Sequence, residues 1–284
     1  MSPIVNRVRR KIGRWPVRCL SLLAISLAPV LVDAADRQTD VGVRAISMGG
    51  AFAAVGSDPT GMYWNPAAIA ALQRQELDLS YADRFGLGLN ESHLSYVLPA
   101  TEHHAIGIDW FHRGFDDVSG GLGLKSGFDR ISFAYGYRNG IQRLRPWIGN
   151  TSIGIAGKYV SQDADLDGQS VMSASGLGID AGLLIPLPHN LRVGFSVQDL
   201  GGTSVEHDSG LNEQIFDANY RLGLAYKPPI EGLTLAVDLD DHARIGAEYW
   251  IASQLALRAG LKSELDTPES RSDATTATFG VGVK

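Results

Sequence analysis

The sequence predicts an all-β fold, a transmembrane antiparallel β-barrel, on three observations. Short segments alternate apolar and polar residues with period two, their ionisable side chains keep to the non-apolar face, and no apolar run after residue 32 approaches the ~20 residues of a membrane-spanning helix. The composition agrees: 33 of the 284 residues are Gly, and a hydrophobic content of 44% with 20% charged residues excludes a disordered chain.

Residues 1–34 read as a secretory signal peptide. Arg7, Arg9, Arg10, Lys11, Arg14 and Arg18 precede an apolar stretch from Cys19 to Val32, and Val32-Asp33-Ala34 offers a cleavage site before Ala35. The only cysteine, Cys19, lies in this leader, so a mature chain has no thiol for a disulfide, a metal or nucleophilic catalysis. The mature chain carries nineteen Lys and Arg against thirty Asp and Glu. That acidity argues against nucleic acid as a partner.

Residues 76–284 read as the barrel. Twelve alternating segments lie near 76–82, 91–98, 104–112, 131–137, 151–160, 176–185, 191–197, 219–226, 233–239, 244–251, 254–262 and 275–283. A soluble sandwich would also alternate, but here one face collects Asp78, Asp109, Lys158, Asp180, Arg192, Arg221, Asp238, Glu248 and Arg258. A base turned to lipid at mid-bilayer would cost about 2–4 kcal/mol, so that face points into the lumen and the Leu, Val, Ile and Phe face points to outer-membrane lipid. Tyr81, Trp110, Tyr137, Trp147, Tyr159, Tyr226, Tyr249 and Trp250 gather toward segment ends as an interfacial girdle. Connections at 113–129, 161–175, 199–218 and 263–274 are the outer loops; Pro186–Asn190, Lys227–Gly232 and Ala252–Ser253 are short inner turns, with 138–150 and 240–243 breaking the rule.

Residues 35–75 do not alternate and read as an N-terminal plug. Gly49-Gly50 permits close backbone approach or positive φ, Asn65 suits a helix N-cap, Pro66 suits a first helical turn, and Ala67 to Leu72 form a short helix. A segment of such small residues suits folding back into a lumen; an arm packed on the rim is the alternative.

Here the chain resembles a family. Gly42, Arg44, Ala45, Met48, Gly49, Gly50, Ala51, Phe52, Ala54 and Val55, then Asp58-Pro59 and Tyr63-Trp64-Asn65-Pro66-Ala67, look like the N-terminal signature of the PorV/PorQ group of outer-membrane barrels, relatives of the FadL long-chain fatty-acid transporters. The match is dense over about thirty residues. The resemblance implies fourteen strands, a hatch in the lumen and, in FadL relatives, a ligand path that leaves the wall sideways near Asn-Pro-Ala. In PorV relatives the barrel instead serves secretion. Twelve strands rather than fourteen are legible, and the sequence ends at Thr278-Phe-Gly-Val-Gly-Val-Lys284 without a terminal aromatic, so either a smaller barrel closes or two strands are missing.

The resulting expectation is a monomeric channel for passive uptake of hydrophobic small molecules, fatty-acid-like or aromatic, with no cofactor and no catalysis. Met48, Gly49, Gly50, Phe52, Met62, Tyr63, Trp64, Asn65 and Pro66 are the hatch and ligand-path residues, and passage follows a shift near Asn65–Pro66. The alternative is a barrel whose outer loops at 161–175 and 199–218 dock exported proteins or secretion components. Other motifs are weak. Asp163, Asp165 and Asp167 with Gly168 match half of a Ca²⁺ loop, but Ala174 stands where a bidentate Glu belongs. Glu102-His103-His104 with His112 lacks metal-site spacing, and Gly121–Gly127 lacks the strand-to-helix context of a phosphate loop.

Overall fold

A computed structural model describes residues 40–84, 88–116, 123–139, 150–265 and 275–284. The leader, Trp147 and most of the 138–150 connection lie outside the described residues. Twelve strands follow one antiparallel path: β1 Glu76–Arg84, β2 Leu89–Pro99, β3 His104–Asp116, β4 Leu124–Arg138, β5 Ser152–Leu166, β6 Gln169–Leu187, β7 Leu191–Gln198, β10 Asn219–Tyr226, β11 Leu233–Leu239, β12 His242–Ile251, β13 Leu255–Glu264 and β14 Thr275–Val283. Two more, β8 Thr203–His207 and β9 Asn212–Phe216, form a side branch on β6 and bring the sheet to fourteen. Each of the twelve predicted segments falls on one strand of the path. Among the described residues no ladder joins β1 to β14, and no helix is long and apolar enough to cross a membrane.

The sequence period decides the two faces. Leu79, Ile108, Phe133, Ile155, Leu177, Leu222, Val237 and Leu257 point outward and are exposed, while their neighbours turn inward. Asp109, Lys158, Asp180, Arg221, Asp238 and Glu248 are buried inside, as the alternation requires. A sandwich would bury the apolar rows; here they are the outer surface. Tyr81, Trp110, Tyr159 and Tyr249 belong to that surface. Trp250 does not. It follows Tyr249 on β12 and so takes the opposite face, inward, with the Arg258 guanidinium 5.7 Å from its ring centroid.

Two predicted loops are corrected. Most of 161–175 is strand: β5 and β6 continue to a two-residue turn in which Asp167 (φ 51°) and Gly168 (φ 75°) take the left-handed conformations of a tight Asp-Gly hairpin. Asp163 and Asp165 therefore stand two residues apart along β5 with Asp167 at its tip, extended rather than wrapped, and their carboxylates do not converge as a Ca²⁺ loop needs. The 199–218 connection holds the β8–β9 hairpin. Of the phosphate-loop candidate, Leu124–Gly127 is strand and Gly121 lies outside the described residues.

The short turns at 188–190, 227–232 and 252–254 mark one end of the sheet, here the basal end; Asp167–Gly168 and Asp240–Asp241 mark the distal end. Within the curl of the sheet lie α1 (Val43–Ser47), α2 (Gly61–Trp64) and a 3-10 helix (Pro66–Ala71).

Candidate functional site

Residues 41–72 pack against the inner face of the wall, and glycines make the fit possible. A methyl group at Gly154 would overlap the Pro66 carbonyl, one at Gly182 the Asn65 side chain, one at Gly194 the Ala53 carbonyl and one at Gly260 the Gly49 amide. Gly154 pairs with Gly182 across β5 and β6, and Gly246 with Gly260 across β12 and β13, so the small residues form continuous patches. Much of the glycine excess is thereby accounted for: the backbone of one segment lies directly on the backbone of the sheet.

Polar contacts fix the segment's register. Asn65 caps the 3-10 helix, its Oδ1 accepting from the Ala67 amide at 3.0 Å, while its Nδ2 donates to the carbonyls of Ala53 at 2.9 Å and Leu183 on β6 at 3.0 Å. The Phe52 and Ala53 amides donate to Asp238 at 2.9 and 2.8 Å. Arg44 donates two bonds to Glu248, at 2.7 and 2.6 Å, and Arg258 donates a third to the same carboxylate at 2.7 Å. Trp64 donates to the Val41 carbonyl, and Arg221 lies 4.8 Å from its ring centroid. Gly49 and Gly50 adopt φ of 66° and 78°.

The nine residues singled out in the sequence therefore converge on one body but not on one cavity. Met48, Phe52 and Trp64 share a cluster with Ala225 and Ala236 of the wall. Met62 belongs to a separate cluster with Ile69, Val97 and Ala134. Met48, Phe52, Trp64 and Asn65 are completely buried, and of the nine Tyr63 alone borders the distal cavity. That cavity is about 230 Å³, with Tyr63, Val160 and Phe216 beside Lys158, Arg130 and Asp199. The Arg130 guanidinium sits 4.5 Å from the Tyr63 ring centroid. At the basal end a larger cavity of about 890 Å³ lies among Arg44, Glu76, Lys227, Trp250 and Val283.

Beside the distal cavity the wall ladder is interrupted. Between the pairs Leu177↔Ser204 and Ala181↔Val197, three residues of β6 face six of the opposing chain. On the other side, residues 199–202 face only 217–218, between the pairs Gln198↔Asn219 and Thr203↔Phe216. The bulge Asp199-Leu200-Gly201-Gly202 carries positive φ at Asp199 (54°), Gly201 (84°) and Gly202 (85°), and Leu200 projects outward. Its inner face is clasped by charge: Lys158 Nζ lies 2.8 Å from Asp180 Oδ1 and 2.9 Å from Asp199 Oδ1. The Asp199 amide donates to Asp180 at 2.8 Å and Thr203 Oγ1 donates to Asp199 at 2.5 Å. Sequence reading placed Lys158 and Asp180 on the inner face but missed this break; the Asp-Leu-Gly-Gly run was its signal and was absorbed into a loop.

At the distal rim, Asp240 sits in the β11–β12 turn and takes both Arg221, 2.7 Å away, and Arg244. Burial would raise its carboxyl, but the two guanidiniums outweigh that and hold it well below the usual carboxylate range. Among the described residues, Asp240, Asp241 and His242 are the group whose ligand atoms cluster within 4.8 Å. Asp240 is already neutralised by two arginines, which opposes a cation there. His104 instead bonds Tyr135 and His112 bonds Asp129, so the histidines noted in the sequence do not meet.

No protein-family model and no curated protein matches this sequence. Solved structures do. The chain is similar to the TodX monoaromatic hydrocarbon channel, in a deltaS2 mutant, at 14% identity and TM-score 0.52, with 86% of this chain and 89% of that one covered. It is similar to the toluene transporter TbuX of Ralstonia pickettii at 13% identity and TM-score 0.54, covering 85% and 88%. A FadL homologue of Pseudomonas aeruginosa gives 13% identity and TM-score 0.53, covering 84% of each chain. At such identities the likeness is one of fold alone: the antiparallel sheet of this chain follows the architecture of these three structures.

Proposed function

We propose that this protein is an outer-membrane channel through which hydrophobic small molecules move down their gradient, with residues 35–75 as a hatch. The names of the similar structures, a hydrocarbon channel and a toluene transporter, support that ligand class. The apolar outer rows support a lipid environment, and a secretory leader is consistent with export.

The observation that carries the reading is the ladder break at 199–202 beside the distal cavity. Straight passage along the barrel axis meets a segment whose Met48, Phe52, Trp64 and Asn65 have no exposed surface. A molecule in the distal cavity, already against Tyr63, Val160 and Phe216, reaches the break more readily than the basal end. The ligand therefore enters between the distal loops, rests on Tyr63 and leaves sideways into the membrane. Asn65 ties the hatch to Leu183 on β6, the strand that forms one side of the break, so a shift near Asn65–Pro66 is felt at the exit. Binding, partition and diffusion are all that this requires.

The test is toluene entry into proteoliposomes. Entry above that of protein-free vesicles, lost when Leu200 and Gly201 are deleted to shorten the bulge, supports the channel; equal rates with and without protein remove it. The alternative, a barrel that docks exported proteins, is favoured by the β8–β9 hairpin, whose Leu211 is exposed at the distal end. Stoichiometric co-purification of an exported protein, abolished by trimming that hairpin, would support it instead.

A further inference from the structure

Lys158 is a cation held inside the wall between two acids of unequal freedom. Its side chain is 6% exposed, and both contacts are ion pairs under 3 Å. Asp180 is built into β6, with its neighbours paired to β5 across the ladder. Asp199 stands in the bulge, in a left-handed conformation that Asp tolerates, next to exposed Leu200. It is the partner that can leave, by giving up the Thr203 hydroxyl and its own amide's bond to Asp180. Arg221 and Arg244 differ in that both lie on one carboxylate, Asp240, so its departure would leave two guanidiniums without it.

With Asp199 withdrawn the buried ammonium keeps Asp180 alone, so a ligand that supplies a replacement charge opens the break at lower cost. A neutral hydrocarbon supplies none. A carboxylate on a compact apolar body does: the acid accepts from Lys158 while its ring or short chain packs on Val160 and Phe216, which border the same cavity. A volume of about 230 Å³ lies below the roughly 300–1,000 Å³ of drug-sized sites, which favours a single ring over a long chain.

We infer that Lys158 is an exchangeable anion site, and that a compact hydrophobic carboxylate takes the place of Asp199 on its ammonium and so frees residues 199–202. The inference rests on the reading of the break as the exit.

The probes are radiolabelled benzoate and toluene, titrated by equilibrium dialysis against the full-length protein in detergent, with heat-shifted gel migration confirming the fold. Saturable benzoate binding is expected to weaken at least tenfold in Lys158→Met. It is expected to strengthen severalfold in Asp199→Asn, which keeps Lys158 and Asp180 and removes the competing charge. Toluene binding should change less than twofold in either variant. If Lys158→Met does not fold, Asp199→Asn decides alone. Absent benzoate binding, unchanged affinity in Lys158→Met, or unchanged or weaker affinity in Asp199→Asn overturns the inference. Toluene entry into vesicles without Lys158-dependent benzoate binding overturns it while leaving the channel intact; no protein-dependent toluene entry removes the channel as well.

Discussion

The side chain of Asn65 occupies the space that a Cβ on Gly182 would need, and from there it donates to the neighbouring Leu183 carbonyl at 3.0 Å. A donor from the N-terminal segment thus reads the wall backbone directly, and only a glycine on β6 lets it come so close. Asn65→Ala removes a cap and two buried donor bonds, and should lower stability by about 2–3 kcal/mol. Gly182→Val should be worse, because the clash is with a packed side chain and backbone. The midpoint of heat-modifiable gel migration measures both; a Gly182→Val protein as stable as the parent would refute this seating.

Glu248 balances Arg44 and Arg258 together, and is 1% exposed. Removing one partner of a buried ionic group leaves the others uncompensated, so Glu248→Ala should cost about 3–5 kcal/mol. Glu248→Gln, which keeps the size and one accepting oxygen but puts an NH2 where the other oxygen accepted from arginine, should recover only part of that loss. Thermal denaturation in one detergent compares the three.

Acid should release the Asp240 clasp late. Its carboxyl is depressed in the folded protein, so its contribution is complete above the unfolded value of about 3.9 and is lost as pH falls from there through the lower folded value. The stability gap between the parent and Asp240→Asn should be constant from pH 7 to about pH 5 and shrink only in stronger acid. A gap that closes near neutrality would contradict the assignment.

The outer rows carry the membrane reading. Phe133 is 64% exposed at the middle of β4, and its neighbour Ala134 is buried. Phe133→Arg should destabilise the folded protein in bilayers by about 2–4 kcal/mol and far less in a water-exposed setting. Folding titrations into lipid vesicles provide the measurement; a neutral substitution would place β4 in water.

The strands were legible because period two is a local property: Ile131, Phe133 and Tyr135 reveal their face without knowledge of any partner. Asn65 as a cap and Gly49–Gly50 at positive φ were legible for the same reason. Trp250 misled, since an aromatic near a strand end suits the girdle and only its parity with Tyr249 turns it inward. Asp163, Asp165 and Asp167 misled in the opposite sense, because an Asp-x-Asp-x-Asp-Gly run reads alike as a metal loop and as a strand ending in an Asp-Gly turn. The Lys158–Asp199 clasp was not readable, as it depends on where β6 exchanges β7 for β8 as its partner and on Lys158 of β5 lying beside that point, which is a relation between strands and not a local pattern.

Sideways exit through residues 199–202 is most directly tested with cysteines at Ile179 and Leu200, whose backbones are joined by a bond of 2.8 Å from the Leu200 amide to the Ile179 carbonyl. The only native cysteine is Cys19, and Cys19→Ser clears the background. Bridging Ile179→Cys and Leu200→Cys with a short bifunctional reagent should stop toluene entry into proteoliposomes, while either single variant treated alike still conducts. A bridged protein that admits toluene as fast as the unbridged one would show that molecules leave by another route.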